Sequence, residues 1–430
     1  MPSTLAVYIR GERCGELEED RHGALSFTYD ADYRGVPLSL SMPVGLARYG
    51  DRVVRPYLMG LLPDDQATRA AIARPFGVSG ENPFRLLRII GRDCPGAVQV
   101  FGDDEPSLVE NAGHDLIELS EDEVAMRLAE VREDAAAAWT GAAGQEGHWS
   151  LGGCQAKIAL RHQGGRWFEC RGAAATTHIV KPGVAGFGHQ ALVEYLSMKV
   201  ARDVGLPVAD VDYRLFGGEE AIVVTRYDRA FDAEGVVHRI HQEDLCQALG
   251  VSPSVKYAEQ GGPSTPQVLA LLRKTGDNAR ENAYRFVLYL FFNYLIGATD
   301  AHAKNHSLLH VAPDDIRLAP LYDVASMAPY RSLAPVQRKP LRTALSIGGE
   351  NRFGMVGAES VKRMVATSRL DELGLDADLL CGRLGAMAEA VPAAAERVVT
   401  EASGIACASQ VGPALVREIS SNCRRTLGLL

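Results

Sequence analysis

The chain has no Cys-x-x-Cys pair, no membrane-length apolar run and no excess of positive charge. Its eight cysteines (Cys14, Cys94, Cys154, Cys170, Cys246, Cys381, Cys407, Cys423) are scattered. That spacing argues against a zinc ribbon or a disulfide framework and fits a reducing cytoplasm, the expected location. The apolar stretch "FVLYLFFNYLIGA" (286–298) is shorter than the roughly 20 residues of a membrane helix and reads as a buried helix. The opening "MPSTLAVYIRGERCGE" lacks the apolar centre of a signal peptide, so neither secretion nor membrane attachment is expected. A formal charge of -9 and a pI near 5.7 speak against non-specific nucleic-acid binding by the chain alone, since neutralising phosphates needs a basic surface. No internal repeat is present, and no Walker A pattern G-x-x-x-x-G-K-[ST].

What remains is ordinary globular composition: 430 residues, 47% hydrophobic and 23% charged, enough for two or three domains. Residues 1–105 read as a small mixed domain. "LAVYI" (5–9), "ALSFTY" (24–29) and "PLSLSM" (37–42) alternate like an antiparallel meander, "PYLMGLLPDDQATRAAIARPFG" looks helical, and "GAVQVF" (96–101) is a further strand. "DEPSLVENAGHD" (104–115) carries linker residues, and the helix "EDEVAMRLAEVRED" (121–134) leads into a Gly/Ala-rich stretch (135–149) with the composition of a mobile loop. "KIALRH", "RWFECR" and "THIVK" are strands, followed by the helix "HQALVEYLSMKVARDVG" (189–205) and strands near "ADVDYRLFG" and "EAIVVTRYD". From about 240 the pattern is mainly helical. The expected divisions are 1–105, 106–228 and 229–430, and strands followed by helices point to a two-lobed α+β catalytic unit.

The chemistry concentrates in "IGATDAHAKNHSLLHVAPDDIRLAPLYDVAS" (296–326). A helix over 281–297 ends at Gly297 and leaves Asp300 on the loop beyond. If "SLLHV" and "IRLAPL" form a hairpin around the turn "APDD", Asn305 and Asp323 come side by side near Asp300. One amide and one or two carboxylates are hard oxygen ligands of the kind magnesium prefers. The spacing Asp300-x-x-x-x-Asn305 is also that of a kinase catalytic loop, in which Asp orients the attacking hydroxyl and Asn holds metal. Two other readings stay open: capping and turn residues only, or a zinc hydrolase using the i, i+4 pair His302 and His306.

"SLGGCQAKIAL" (150–160) sets Gly152, Gly153 and Lys157 between a flexible loop and a strand, where glycine lets backbone N–H groups approach phosphates. A plain hairpin turn explains it equally well. Lys181 ends the strand "THIVKPG", as a phosphate-contacting lysine would, and Glu194 is the nearest helix glutamate able to hold such a lysine. "VVTRYDR" (223–229) ends the strand-rich part, where its backbone could read an adenine edge with Tyr227 nearby.

Taken together, "SLGGCQAKIAL", "THIVKPG", "VVTRYDR", "HQEDLCQALG", "TDAHAKNHSLL" and "LAPLYDVAS", in that order, resemble the HipA family of serine/threonine kinase toxins. "LLPDD" and "IGRDCPGAV" look like that family's small N-terminal domain, so the resemblance spans nearly the whole chain. It implies a two-lobed protein-kinase-like (HipA-like) α+β fold, with a strand-rich N-lobe, a helical C-lobe and the N-terminal domain added. It implies ATP and Mg2+, with Asp300 catalytic and Asn305 and Asp323 holding the metal. The nucleotide contacts it implies come from Ser150, Gly152, Gly153, Cys154, Gln155, Lys157, Lys181, Thr225, Tyr227, His302 and Lys304. Ser150 matches the serine whose autophosphorylation expels the Gly-rich loop. The implied partner is a helix-turn-helix antitoxin of HipB type, with operator DNA reached only through that complex. The implied substrate is a translation component such as an aminoacyl-tRNA synthetase. Cys154 stands where the family has a small alanine and His306 where it has an aromatic, departures that touch nucleotide affinity and redox sensitivity but remove no charge the mechanism needs. The rival from another class is a catalytically idle subunit that co-represses DNA with its antitoxin.

Overall fold

The computed structural model describes residues 3–45, 48–102, 105, 115–140, 149–333 and 341–430. The expected linker 104–115 lies outside them except for its residues 105 and 115, as do residues 141–148 of the Gly/Ala-rich stretch. The chain divides into two compact units, each drawn from several stretches. Met1–Val184, Arg214–Val255 and Ser307–Pro313 make the first; Ala185–Tyr213, Lys256–His306 and Asp314–Leu430 make the second. Boundaries at 105/106 and 228/229 do not coincide with these units.

In the first unit, β1 (Ser3–Ile9), β2 (Glu12–Glu19), β3 (Leu25–Tyr29), β4 (Tyr49–Gly50) and β5 (Val98–Gly102) form an antiparallel sheet of order β4-β3-β2-β1-β5. Helices α1 (Asp51–Gly60) and α3 (Pro83–Ile90) add Val54, Tyr57, Leu86 and Leu87 to the core that Leu5, Val7 and Ile9 of β1 enter. The helical stretch expected across "LLPDD" breaks there, and α2 (Gln66–Ala73) restarts because the Asp65 carboxylate accepts from the Thr68 N–H at 2.7 Å. The strand expected at 37–42 is instead a tight turn bridging Ser39 and Met42. Prolines at 37 and 43 remove ladder donors. The buried Tyr29 hydroxyl then takes the Leu38 N–H at 2.7 Å and donates to the Met42 carbonyl at 2.6 Å.

A second sheet has the order β10-β11-β9-β7-β8-β6. Its strands are β6 (Leu116–Leu119), β7 (Ile158–Gln163), β8 (Arg166–Cys170), β9 (His178–Pro182), β10 (Val211–Phe216) and β11 (Glu219–Thr225). Helix α4 (Glu121–Glu133) opens with a reciprocal Ser120/Glu123 cap. It lays Val124, Leu128 and Val131 on Ile158, Leu160, Trp167, Val180 and Val223. The front of the expected mobile stretch is ordered: Ala137–Thr140 is a helical turn whose Trp139 ring lies 4.5 Å from that of Trp149. The short strands β12 (Arg229–Phe231) and β13 (Val237–Arg239) pair with each other. β14 (His241–Asp244) pairs with β15 (Ser307–Ala312), which joins these later stretches to the first unit.

A buried ionic cluster ties the two sheets together. Asp93 accepts from Arg229 at 2.9 Å, Arg239 at 2.9 Å, Arg226 at 3.4 Å and the Thr176 hydroxyl at 2.7 Å. Asp228 pairs with Arg226 at 2.9 Å and takes the Gly96 N–H at 2.6 Å. Burial pushes the Asp93 carboxyl up, but Arg229, Arg239 and Arg226 outweigh it and hold the group well below the usual carboxylate range.

The second unit is helical: α5 (Gln190–Asp203), α6 (Thr265–Leu272), α7 (Ala279–Ile296), α8 (Ala358–Ser368), α9 (Ala377–Glu401) and α10 (Ala408–Leu427), with β16 (Asp315–Leu318), β17 (Arg342–Ile347) and β18 (Glu350–Arg352). The α7 C-terminus is buried, and its last carbonyls need donors. The Asn422 amide of α10 supplies them, reaching Tyr294 O at 2.7 Å and Leu295 O at 3.0 Å. No helix among the described residues is long and apolar enough to cross a membrane.

Asp93→Ala removes one of two carboxylates from a cluster of three arginines, leaving Asp228 alone against the buried Arg226 and Arg229, so it should cost about 3–5 kcal/mol of unfolding free energy in urea titrations of the full chain. Because the folded carboxyl is held below its unfolded value of about 3.9, its stabilisation is complete above roughly pH 5 and fades as pH falls below that value. The gap between wild type and Asp93→Asn should therefore be constant from pH 5 to 7 and narrow in acid.

Candidate functional site

The sequence-predicted site residues fall into two sets, one in each unit. In the first unit, the segment 149–157 is held from below by the N-terminal sheet domain. Trp149 bridges Asp93, and the Ser150 N–H donates to the Asp93 carbonyl at 2.9 Å. Ser150 is fully buried, with its hydroxyl donating to Leu61 O at 2.5 Å. Gly153 bridges Pro63, accepts from the Asp64 N–H at 3.1 Å and donates to the Asp64 carboxylate at 3.3 Å. Gly153 adopts φ +98°, a left-handed backbone that favours glycine, and a Cβ there would meet Lys157 Nζ at 3.0 Å. Lys157 donates to the Gly152 carbonyl at 3.0 Å, and Gln155 to Pro182 O at 3.1 Å, next to Lys181. Cys154 is exposed, its sulfur 3.9 Å from the Asp64 carboxylate.

Lys181 is buried on β9, opposite Ile222 of β11. Thr225 ends β11 with its hydroxyl 3.3 Å from the His178 ring. Burial, reinforced by His162, pulls His178 down to about 4, so this imidazole is neutral. The Tyr227 hydroxyl donates to Gln242. Lysine and strand end thus belong to one sheet, and the Gly-rich segment leads into its strand β7.

In the second unit, α7 ends where Gly297 takes φ +77°. Ser326 anchors the exit, donating its hydroxyl to Ile296 O at 2.5 Å and bridging Ala298. Asp300 follows with its side chain 65% exposed. Behind it the chain turns tightly: the His302 N–H donates to Asp300 O at 2.8 Å, the Asn305 N–H to His302 O at 2.9 Å, and Asn305 Nδ2 to Asp300 O at 2.8 Å. Asn305 and Asp300 are thereby locked into one loop. Tyr322 donates to Lys304 O at 3.1 Å, bringing the residue before Asp323 to the residue before Asn305. Asp323 itself has φ +58°, uncommon for a residue with a side chain and found where the surroundings enforce it.

His302, Lys304 and Asn305 are buried in this turn. The expected i, i+4 histidine pair does not lie on a helix, because Ala303–Asn305 is a 3-10 turn and His306 is extended. His306 stacks on Tyr289 and meets Phe286 edge-on, and burial pulls its imidazole down to about 3. It packs as the aromatic residue expected there. Among the described residues, His302 and His306 belong to no group of three metal-capable side chains. Glu194 is buried on α5 in the second unit, 3.5 Å from Gln190 Nε2.

Reading the sequence missed two contributors. Asp64 sits in "LLPDD" beside the Gly-rich segment, and Tyr257, from "SVKYAEQGG", donates its hydroxyl to the Asp300 carboxylate. Neither carries a local spacing that marks it.

Residues 149–399 match the HipA-like C-terminal domain, and residues 5–101 match the HipA N-terminal domain. The chain is 35% identical over 409 residues to the putative kinase Y4mE of Sinorhizobium fredii, covering 93% of each chain. It is 29% identical over 413 residues to the serine/threonine-protein kinase toxin HipA of Shewanella oneidensis, covering 92% of this chain and 89% of that one. The solved Shewanella oneidensis complex of HipA, HipB and operator DNA contains a chain of TM-score 0.81 and 26% identity, covering 99% of this chain and 98% of that one. With both domain families matched in order and a kinase-like α+β fold shared along its length, the chain belongs to the HipA family.

Proposed function

We propose that this chain is an ATP- and Mg2+-dependent protein serine/threonine kinase. The observation that carries the reading is the loop of the second unit: an exposed Asp300 carboxylate, an Asn305 side chain bonded to the Asp300 carbonyl, and Asp323 in left-handed backbone. The Asn305 amide oxygen and the Asp323 carboxylate are hard oxygen donors, a set that suits magnesium. The cation, when held by Asn305 and Asp323, would offset charge on the transferred phosphoryl group. Asp300 orients the acceptor hydroxyl; with a reference value near 3.9 it is a weak bulk base but suits a proton that leaves late. In the first unit the phosphates are assigned to the Gly-rich segment around Gly152 and Gly153 and to Lys157 and Lys181, with the Gly153 N–H exchanging its Asp64 partner for phosphate, and the adenine edge to the Thr225–Tyr227 strand end.

The protein substrate is assigned to translation, an aminoacyl-tRNA synthetase being the reference case, and the partner to a helix-turn-helix antitoxin of HipB type. Support for the partner is the Shewanella complex, in which HipA is solved with HipB and operator DNA. The competing reading, an idle co-repressing subunit, is disfavoured by the intact Asp300, Asn305 and Asp323.

Labelling with radioactive ATP and magnesium, with and without cell lysate, is the direct test. Asp300→Ala and Asp323→Ala should each lower transfer ~100-fold or more, the cost of losing a group that acts on the transition state. Near-normal labelling by either variant would sink the kinase reading.

Ser150 is proposed as a self-modification site. Its buried hydroxyl has no room for a group of roughly -1.5 to -2 charges, so phosphorylation should favour a loop that has left its seat. Intact-mass analysis after ATP and magnesium should show one phosphate at Ser150 in wild type and none in Asp300→Ala, with weaker ATP binding by the modified form. Equal ATP affinity of the two forms would remove the switch and leave the kinase reading standing.

Net acidity predicts the DNA result. The purified chain should bind operator weakly at physiological salt, and a co-expressed helix-turn-helix partner should restore binding; tight sequence-specific binding by the chain alone contradicts this.

A further inference from the structure

We infer that Tyr257 is a positioning residue for Asp300. The inference rests on the kinase reading and extends it to a residue 43 positions upstream in sequence. The Tyr257 hydroxyl donates to Asp300 Oδ1. The phenol is itself fixed on several sides. Its ring meets the buried His302 edge-on, centroids 4.9 Å apart at 82°. Lys256 Nζ stands 5.8 Å from the ring centroid. The Tyr257 carbonyl accepts from Gln260 N at 2.9 Å and Gly262 N at 3.0 Å, and Gly261 with φ +90° closes that turn. The backbone of Tyr257 is therefore set by its own loop rather than by Asp300.

The chemistry follows from what an exposed aspartate lacks. A side chain 65% open to water rotates among rotamers, and orienting a hydroxyl requires one of them. An ionised carboxylate has about four acceptor positions, so a single phenolic donor on Oδ1 selects a rotamer and leaves capacity for the acceptor hydroxyl. The phenol touches neither ATP nor the reacting hydroxyl in this assignment; it acts only through Asp300. Tyr257 also links the loop 256–262 to His302, so the ring and the hydroxyl have separable jobs: the ring packs the turn and the hydroxyl aims the carboxylate.

Tyr257→Phe separates them, because it keeps the ring against His302 and deletes the donor. Steady-state phosphorylation of a lysate-derived or generic protein acceptor is measured for wild type, Tyr257→Phe, 3-fluorotyrosine installed at position 257, and Asp300→Ala. The variant should lose about 10- to 100-fold in kcat, the range of a hydrogen bond to a charged group. KM for ATP and the thermal midpoint should stay at wild-type values, and 3-fluorotyrosine, which restores a hydroxyl, should recover kcat. Wild-type kcat in Tyr257→Phe overturns the inference. So does a parallel rise in KM for ATP and fall in thermal midpoint, which would mark a packing role alone. If wild type transfers no more phosphate than Asp300→Ala, the kinase reading fails and the inference falls with it.

Discussion

A carboxylate almost closed to water, Asp93, faces three guanidinium groups, and the architecture of the first unit hangs on that meeting. An isolated buried carboxylate would abandon its charge rather than bear the desolvation. Here the charge is kept because Arg226, Arg229, Arg239 and Thr176 arrive from stretches remote in sequence. The same residue uses its carbonyl to take the Ser150 N–H. This single residue, three positions beyond α3, thus joins the N-terminal sheet domain, the strand end at 225–229 and the start of the Gly-rich segment. Such a cluster stabilises modestly as a set but is very sensitive to loss of one member.

The second unit applies a comparable constraint with neutral groups. Two positions with left-handed backbone, Gly297 and Asp323, bracket the loop that carries Asp300. Glycine accepts that conformation freely, whereas an aspartate requires surroundings that insist on it. They are supplied by Ser326 on Ile296 O, the Met327 N–H on Gly297 O at 3.1 Å, and Tyr322 on Lys304 O. The consequence is a well-braced frame that leaves the Asp300 side chain largely exposed.

How much of this was legible depends on the distance between partners in sequence. Asp300, Asn305 and Asp323 lie within one short stretch, so their spacing could be turned into a loop, in which Asn305 bonds the Asp300 carbonyl. Strands such as 158–163 and 178–182 were visible because alternation is a local signal. "PLSLSM" had the same alternation but became a turn, because flanking prolines and the Tyr29 hydroxyl outweigh pattern. The role of Asp93 could not be read, since its guanidinium partners lie 133 to 146 residues on. Tyr257 was hidden in the same way. The two compact units, each woven from separated stretches, have no linear signature at all.

The N-terminal sheet domain then has a mechanical meaning within the first unit. It supplies Leu61 O, the Asp64 amide and carboxylate, and Asp93 O to the segment 150–153. Each such hydrogen bond contributes about 0.5–1.5 kcal/mol net, so together they hold the segment down against a modest entropic pull. None of them tolerates a phosphoryl group on Ser150, because the hydroxyl that would carry it is the donor to Leu61 O and is wholly enclosed. Seating and modification are therefore mutually exclusive states of the same few atoms. In the proposed switch, the group on the Ser150 oxygen would therefore set whether the glycines beyond it stay seated on Leu61, Asp64 and Asp93, all three supplied by the N-terminal sheet domain.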